Sequence, residues 1–247
     1  MTMPDLHQFQ VKRSRHKVHY IYVQHALMSL HMAYRHGAFD HYDTIFCAGP
    51  HHVAEIRALE NKYGLAAKNL VEHGYSRLDT LIASAKTAHQ ADTSTNGNSN
   101  HVLLAPTWGE QALIESGLAL TIIDQCLERG YRITLRPHPQ TIKLNPKSIH
   151  PILKKHHENP NFVCEDSLIS QTSLHQSQIM ISDWSGAALE YALGLNKPVL
   201  FVDTPKKVNN RHYLDIKLEP FESAIRNQIG QVLSVEIARS HYLKIWV

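Results

Sequence analysis

The chain has 247 residues, of which 43% are hydrophobic and 19% are charged, and its formal net charge at pH 7 is +3. This composition excludes an intrinsically disordered chain, and the length accommodates one large α/β domain or two small ones. The weak positive charge does not by itself indicate nucleic-acid binding, and we expect no nucleic acid among the partners. The sequence contains no apolar run as long as a membrane span and no signal-peptide pattern, so we expect a cytoplasmic protein.

The metal-binding residue types do not form a ligand pattern. Cys47, Cys126 and Cys164 are scattered along the chain, which is typical of a protein in a reducing compartment. The 19 histidines include doublets at 51–52 and 156–157, but neither doublet has a second pair at ligand spacing. No Asp-x-Asp motif is present either, so we expect no protein-held metal and no other cofactor.

The first 90 residues alternate between short apolar runs and helical patterns. A basic cluster at 12–17 is interpreted as a solvated arm, with contact to anionic lipid as the alternative. The pattern then predicts strands at 18–24, 44–47 and 69–72 and helices at about 26–34, 51–63 and from 80 to 89. This alternation predicts an N-terminal Rossmann-like α/β domain at 1–90.

A small, polar segment follows at 91–100 and predicts a linker. Beyond it the alternation of strand and helix becomes regular. Strands are predicted at 102–105, 131–135, 162–164, 179–181 and from 199, and helices at 112–128, 149–157 and from 186. This alternation indicates a doubly wound parallel sheet in a second Rossmann-type domain at 101–247, with ligands at the carboxyl ends of its strands.

The most informative segment joins the predicted strand at 179–181 to the helix that begins at Gly186. Ser182, Asp183 and Ser185 lie at this junction, and small polar residues of this kind favour the start of a helix. A helix N-terminus presents unpaired N–H groups and the positive end of a dipole, so the junction is a candidate phosphate site. The alternative is an ordinary capped helix of an α/β protein.

Two further strand ends carry polar side chains. Thr107 follows the strand at 102–105, and Arg136 and His138 follow the strand at 131–135. Prolines on both sides of His138 hold its backbone out of a helix. Hydroxyl groups, a guanidinium group and a helix dipole at one edge of a sheet form a set that can bind pyrophosphate. The standard nucleotide fingerprints, the Walker loop and the G-x-G-x-x-G motif, are absent from the sequence.

Five motifs in this order resemble the CDP-glycerol glycerophosphotransferases, the polymerases and primases of teichoic acids and capsules, which have GT-B architecture. The motifs are His25, Gly74-Tyr75-Ser76-Arg77-Leu78-Asp79, Pro106-Thr107-Trp108, Arg136-Pro137-His138-Pro139, and Ser182-Asp183-Trp184-Ser185-Gly186 with Lys197-Pro198. The resemblance extends from about residue 20 to residue 203. It implies an α/β, GT-B-like fold with Rossmann-type parallel sheets and a shortened N-terminal domain on the acceptor side.

The resemblance also implies a reaction, in which glycerol phosphate moves from CDP-glycerol to an acceptor hydroxyl and CMP is released. The family needs one histidine in a His-Gly motif and one in an Arg-x-His-Pro motif, and these map onto His25 and His138. We expect His25 to take the acceptor proton and His138 to stabilise the transferred phosphate, and the two roles can also be exchanged. The residues expected to bind the donor phosphates and nucleotide are Arg77, Thr107, Arg136, Ser182, Asp183, Ser185 and Gly186.

Several positions depart from the family pattern. Ala26, Ser76, Gly109 and Gly186 stand where Gly, Pro, Arg and Ser are usual. Two alternatives therefore stay open: a GT-B nucleotide-sugar glycosyltransferase or epimerase, and a non-catalytic nucleotide-binding subunit. The partners implied by the resemblance are CDP-glycerol and a lipid-linked or polymer acceptor. Together with the basic cluster at 12–17, such acceptors indicate peripheral contact with the anionic inner face of the cell membrane.

Overall fold

The computed structural model describes residues 1–9, 11–91, 100–165 and 170–240. The predicted linker at 91–100 lies outside these residues except at its two ends. The chain divides into two compact units: unit 1 combines Met1–Arg77 with Lys207–Ile225, and unit 2 combines Leu78–Lys206 with Arg226–Val247. This division differs from the sequence-based boundaries, because most of the helix before the linker belongs to unit 2 and a late segment returns to unit 1.

Parallel strands alternate with helices in the described parts of the chain. The strands are β1 (Ile21–Val23), β2 (Thr44–Cys47), β3 (Asn69–Glu72), β4 (His101–Leu104), β5 (Arg132–Leu135), β6 (Phe162–Cys164), β7 (Ile179–Ser182), β8 (Val199–Val202) and β9 (Gly230–Leu233). The α-helices are α1 (Leu30–Ala33), α2 (Pro50–Tyr63), α3 (Ser76–Ala91), α4 (Leu118–Glu128), α5 (Pro139–Leu144), α6 (His150–His156), α7 (Thr172–Gln176), α8 (Gly186–Leu195), α9 (Phe221–Ala224), α10 (Arg226–Ile229) and α11 (Val235–Arg239). Short 3-10 helices lie at Pro146–Ser148 and Tyr213–Ile216.

Unit 1 is built on a parallel sheet with the strand order β1-β2-β3. Tyr22 of β1 and Ile45 of β2 are fully buried and pack with Ile56 of α2 in one hydrophobic cluster. α2 begins at Pro50, whose fixed φ suits the first helical turn. It ends at Gly64, which has a φ of +62° and donates its N–H to Glu60, a cap that glycine adopts without strain.

The prediction of a helix at 26–34 is wrong over most of its length, because α1 begins only at Leu30. Side chains from elsewhere in unit 1 bind the backbone of the preceding loop in place of helical hydrogen bonds. His51 and His52 each donate from Nε2 to a carbonyl oxygen of this loop, at 3.0 Å. Burial lowers the pKa of His52 to about 4, so this imidazole is neutral near pH 7. The further contacts to the loop join Ser29 to Glu222 and Leu30 to Glu55.

Unit 2 is built on a six-stranded parallel sheet with the order β6-β5-β4-β7-β8-β9. This is the order of a doubly wound dinucleotide-binding sheet, in which the chain starts in the middle and reverses direction between the two central strands. The predicted parallel, doubly wound sheet is confirmed. β9 was not predicted, because Gly230 and Gln231 interrupt the apolar run that marks the other strands.

Both faces of this sheet are covered, so alternate residues of each central strand enter different cores. Val102 and Leu104 of β4 pack in one cluster with Ile122 of α4. Leu103, the residue between them, packs in another cluster with Tyr191 of α8. A strand that is buried on both faces has an almost continuous apolar sequence, which is why these strands were predictable.

The helix predicted at 112–128 begins six residues later, as α4 at Leu118. Gly117, the residue before it, has a φ of +79° and separates the helix from the turns that precede it. Within those turns the N–H of Leu113 is bonded to Asp183 rather than to a helical carbonyl.

Across the parts of the chain that the structure describes, the helices lack the length and apolar character required to cross a bilayer.

Candidate functional site

The carboxyl ends of β4 and β7 lie side by side at the point where the strand order of unit 2 reverses. In open α/β sheets ligands bind at this point, because the connections leave on opposite faces and open a crevice. Thr107 follows β4, and Ser182–Gly186 ends β7 and begins α8. β5 lies next to β4 and brings Arg136 and His138 to the same edge of the sheet.

Asp183 connects the two loops at this edge. Its carboxylate is 1% exposed and accepts the N–H of Thr107 at 2.6 Å and that of Leu113 at 3.2 Å. Burial raises the pKa of Asp183 to about 6, although the N–H donors favour the charged form. The hydroxyl of Ser182 is also buried, and it donates to the carbonyl of Ala105 at 2.7 Å. Both side chains were expected to contact the donor, whereas they face the protein's own backbone and position the loop after β4.

Replacing Asp183 with alanine is expected to lower the free energy of unfolding by about 2–5 kcal/mol, because two buried N–H groups lose their acceptor. In the folded chain the carboxyl keeps its proton up to about pH 6, above its ordinary pKa of 3.8. The stabilisation from Asp183 is therefore complete below pH 3.8 and decreases as the pH rises through 6, so the loss should be larger at pH 5 than at pH 8. Urea unfolding of both proteins at both pH values measures this loss of stability. Equal unfolding midpoints for the wild type and the variant would contradict the structural role of Asp183.

Ser185 and Gly186 form the start of α8. Ser185 has extended backbone angles, and its hydroxyl accepts the N–H of Ala187 at 3.3 Å, which makes it the N-cap. The helix extends for ten residues to Leu195 and has no acidic residue in its first turn. Its N-terminal dipole therefore points to the edge of the sheet without a neutralising carboxylate in that turn.

Trp184 holds the loop between β7 and α8 in place. Its indole N–H donates to the carbonyl of Thr204 at 2.7 Å, and the guanidinium group of Arg226 lies 4.0 Å from the centre of its ring. Arg226 is itself buried and pairs with Asp203 at 2.8 Å. A cation stacked on an aromatic ring in a buried place is an attractive contact. These contacts consequently hold the residues on both sides of Trp184 in place.

His138 occupies the N-cap position of α5. Its φ of −65° and ψ of 142° are extended, as expected between two prolines. The Nδ1 atom accepts the N–H of Gln140 at 3.1 Å. Because a neutral imidazole has one protonated nitrogen, this bond leaves the proton on Nε2. The ring also lies near Trp108, with 6.0 Å between the ring centroids.

The two arginines of the expected donor site lie in different units. Arg136, on unit 2, is 7% exposed, and its Nη1 is 3.4 Å from both Glu165 Oε2 and Ser173 Oγ. A buried guanidinium that is paired with a carboxylate has less charge to offer a ligand than a free one. Arg77 lies in the first turn of α3, at the end of the first segment of unit 1.

His25 lies just beyond the carboxyl end of β1 in unit 1, and its ring is exposed. Nδ1 is 3.3 Å from the hydroxyl of Tyr22, and the backbone carbonyl accepts the hydroxyl of Tyr75 at 3.1 Å. Partial shielding from water lowers the pKa of His25 below its ordinary value of 6.5. The imidazole is therefore mainly neutral at pH 7, as a proton acceptor must be.

One protein family accounts for nearly the whole chain. The family model described as CDP-Glycerol:Poly(glycerophosphate) glycerophosphotransferase matches residues 3–236. The chain belongs to this family. The resemblance inferred from the five sequence motifs is thereby confirmed. No curated protein sequence matches the chain.

Solved structures resemble the chain at low sequence identity. The UDP-GlcNAc 2-epimerase from Methanocaldococcus jannaschii is 12% identical, with a TM-score of 0.50 over 92% of this chain and 64% of that one. The wall teichoic acid polymerase TagF is 19% identical, with a TM-score of 0.47 over 74% of this chain and 48% of that one. A TagF variant soaked with CDPG is 15% identical, with a TM-score of 0.45 over 91% of this chain and 62% of that one. The epimerase supports the predicted GT-B-like fold class, which is confirmed. The chain spans about half to two thirds of the length of these proteins.

In this member of the family, the structure adds two candidate residues that the sequence analysis missed. His73 lies just beyond β3 and donates from Nδ1 to the carbonyl of Cys47 at 3.1 Å, which leaves its Nε2 unprotonated. Its position directly after the strand at 69–72 was a usable sequence signal. Tyr22 contacts His25, but the sequence analysis included Tyr22 only in the predicted strand at 18–24 and gave it no role. Its hydroxyl is visible as a partner only in the folded unit.

Proposed function

We propose that the chain transfers glycerol phosphate from CDP-glycerol to an acceptor hydroxyl. The acceptor oxygen forms a bond to the phosphorus that carries glycerol, the bond from that phosphorus to the bridging oxygen breaks, and CMP leaves. Membership of the glycerophosphotransferase family carries this proposal. The strand-end site of unit 2 supports it, because a switch-point crevice beside a helix N-terminus suits a nucleotide diphosphate.

We assign the diphosphate to the start of α8 and the loop after β4. The N–H group of Gly186, with the hydroxyls of Ser185 and Thr107, can donate to phosphate oxygens, whereas the N–H of Ala187 is bonded to the Ser185 hydroxyl. Asp183 contributes by fixing the Thr107 backbone, since its carboxylate is occupied there. A direct contact from a buried carboxylate to a phosphate would be repulsive, so a positioning role fits better. Arg77 and Arg136 stay predicted ligands.

The two histidines receive different roles because their hydrogen bonds differ. His138 carries its proton on Nε2 and can donate it as a hydrogen bond to the phosphoryl oxygens as their charge grows. His25 can act as the base if Nδ1–H donates to the hydroxyl of Tyr22. The hydroxyl of Tyr22 also hydrogen-bonds to the hydroxyl of Tyr34. Tyr22 can therefore accept from His25 and donate to Tyr34. Nε2 of His25 then has a free lone pair for the acceptor proton.

The acceptor assignment follows from the family description, which names poly(glycerophosphate). We propose a growing cell-surface polymer of that kind, in a teichoic acid or a capsule, presented on a lipid carrier. The basic cluster at 12–17 supports peripheral contact with an anionic membrane on the cytoplasmic side, because the exposed Lys12, Arg15 and Lys17 are attracted to such a surface. Arg13 of the same cluster is paired with Asp43 at 3.0 Å.

The decisive experiment incubates the purified chain with CDP-glycerol and poly(glycerophosphate), and follows CMP release together with the mass of the acceptor. We expect one CMP for each glycerol phosphate added. A parallel panel of UDP-sugars and CMP-sugars tests the glycosyltransferase alternative. Binding of CDP without any CMP release would refute the catalytic proposal and favour the non-catalytic subunit.

Replacing Ser185 with alanine is expected to weaken CDP-glycerol binding by about 1–3 kcal/mol, because a hydroxyl bonded to a charged phosphate is lost. The matched control is Ser234→Ala. Ser234 is the N-cap of α11, where its hydroxyl accepts the N–H of Ile237 at 3.3 Å. Both variants lose a helix cap, so both should be destabilised by about 1 kcal/mol. Calorimetric titration should find weaker binding only for Ser185→Ala, and equal dissociation constants would move the phosphate elsewhere.

A further inference from the structure

A pocket of unit 2 lies beside His138 and is not used by the roles assigned above. Its volume is about 380 Å³, and its lining side chains include Trp108, Glu110, Glu115, Gln140 and Asn145. This volume is within the range of small-molecule sites, about 300–1,000 Å³. Two of the lining residues connect the pocket to His138: Gln140 donates its N–H to the imidazole, and the ring of Trp108 lies near it, with 6.0 Å between the centroids.

The charge of the pocket argues against a phosphate. Glu110 and Glu115 line it, and the pocket lining itself holds no cationic side chain. Oε1 of Glu115 accepts the hydroxyl of Thr141 at 2.7 Å, whereas Oε2 is shielded from solvent and has no hydrogen-bond partner among the described residues. The carboxylates that line the pocket accept hydrogen bonds and carry negative charge, so the site favours a ligand that brings O–H groups over an anion.

The other lining groups match the same chemistry. The ring of Trp108 offers a flat apolar surface for C–H groups, and the amides of Gln140 and Asn145 can both donate to and accept from hydroxyls. A metal ion is a poorer match, because the described residues contain no cluster of three or more His, Cys, Asp or Glu side chains that could hold one. We propose that this pocket binds an uncharged polyhydroxyl unit, a glycerol or a sugar, next to the phosphate held at His138.

The position of the polyol beside the transferred phosphate rests on the proposed function. The polyol can have two sources: the glycerol of the donor or a unit of the acceptor. In either case the anionic lining keeps phosphate groups out of the pocket, while the imidazole N–H of His138 attracts them just outside it. The polyol would thereby be oriented with its phosphate or its attacking hydroxyl toward His138.

The binding experiment uses the full chain labelled with ¹⁵N at tryptophan, and Trp108→Phe assigns the indole signal of Trp108. Glycerol, glucose, inorganic phosphate and Mg²⁺ are titrated separately at constant ionic strength. We expect saturable shifts of the Trp108 signal with glycerol and glucose and none with phosphate or Mg²⁺. A response to phosphate or Mg²⁺ that equals the glycerol response, or no saturable response to either polyol, would overturn the proposal.

Glu115→Gln removes the charge while keeping the shape, and it should raise the dissociation constant for glycerol about tenfold. Glu110→Gln tests the second carboxylate, which is exposed and needed less for folding. The control is Glu128→Gln, an equal charge change at the exposed end of α4. Unchanged affinity in both pocket variants, or an equal loss in the control, would contradict the assignment.

Saturating CDP and saturating CDP-glycerol then separate the two sources. If the pocket holds the acceptor, added glycerol should still shift Trp108 in the presence of either nucleotide. If it holds the donor glycerol, CDP-glycerol but not CDP should abolish the shift. Failure of CDP to bind would contradict the proposed function, while the glycerol titration alone would still decide whether the pocket binds polyols.

Discussion

Replacing His25 with alanine is expected to reduce transfer from CDP-glycerol about a hundredfold to ten-thousandfold, the usual contribution of a positioned base. The imidazole is exposed at the end of β1, so its removal should leave the free energy of unfolding almost unchanged. Initial rates of CMP release measure the effect. His212→Ala is the matched control, because His212 is an exposed histidine of the same unit, outside the basic cluster. Equal rates in the two variants would remove His25 from the mechanism.

The pH profile provides a second test of the same base. Since the pKa of His25 is lowered, the active neutral form predominates at pH 7, and kcat/KM should fall only below about pH 6.5. Tyr22→Phe keeps the buried ring and removes the hydroxyl that faces Nδ1, so we expect about a tenfold lower kcat with an unchanged KM. Tyr42→Phe is its control, because this hydroxyl bonds to the carbonyl of Met3 in the same cluster.

The sheet of unit 2 could be predicted from sequence because burial on both faces leaves a simple pattern. Runs such as the one at 102–104 are apolar at every position, and each is followed by a turn and a helical period. β9 lacks this pattern and was missed. The edge position of β9 explains the difference, because an edge strand can hold partly exposed residues such as Gln231.

The roles of individual site residues were harder to predict, because they depend on which loops become neighbours. Asp183 and Ser182 carry the residue types of a phosphate site, yet their partners are Thr107, Leu113 and Ala105, about seventy to seventy-seven positions away in sequence. No local pattern reveals whether a carboxylate faces a ligand or its own backbone. For Asp183, the parallel pairing of β4 with β7 brings the loop after β4 next to the carboxylate, which therefore faces the backbone of that loop.

The loop that follows β1 shows the same limit in unit 1. Its residues favour a helix by composition, and the sequence analysis predicted one. Glu222, which is 193 positions away from Ser29, accepts both the N–H and the hydroxyl of that serine, at 2.8 Å each. Such buried contacts to a carboxylate compete with helical hydrogen bonds. The position of His25 at the start of this loop therefore depends on the fold of the whole unit.

Replacing His138 with asparagine separates two functions of this residue. The asparagine oxygen can accept the N–H of Gln140 as an N-cap, so α5 should be retained and the free energy of unfolding should change by less than about 1 kcal/mol. The Nε2–H group is lost. If it stabilises the charge on the transferred phosphoryl group, kcat should fall about a hundredfold to a thousandfold, as for one lost oxyanion donor.

The ratio of the two kinetic effects distinguishes transition-state stabilisation from simple binding. Loss of an interaction made only in the transition state lowers kcat and kcat/KM equally, whereas loss of ground-state binding raises KM and leaves kcat unchanged. We expect the first result for His138→Asn. His150→Asn is the control, an exposed histidine at the start of α6 in the same unit. A raised KM with an unchanged kcat would reduce His138 to a binding residue, and the stabilisation of the phosphoryl charge would then rest on the N-terminus of α8.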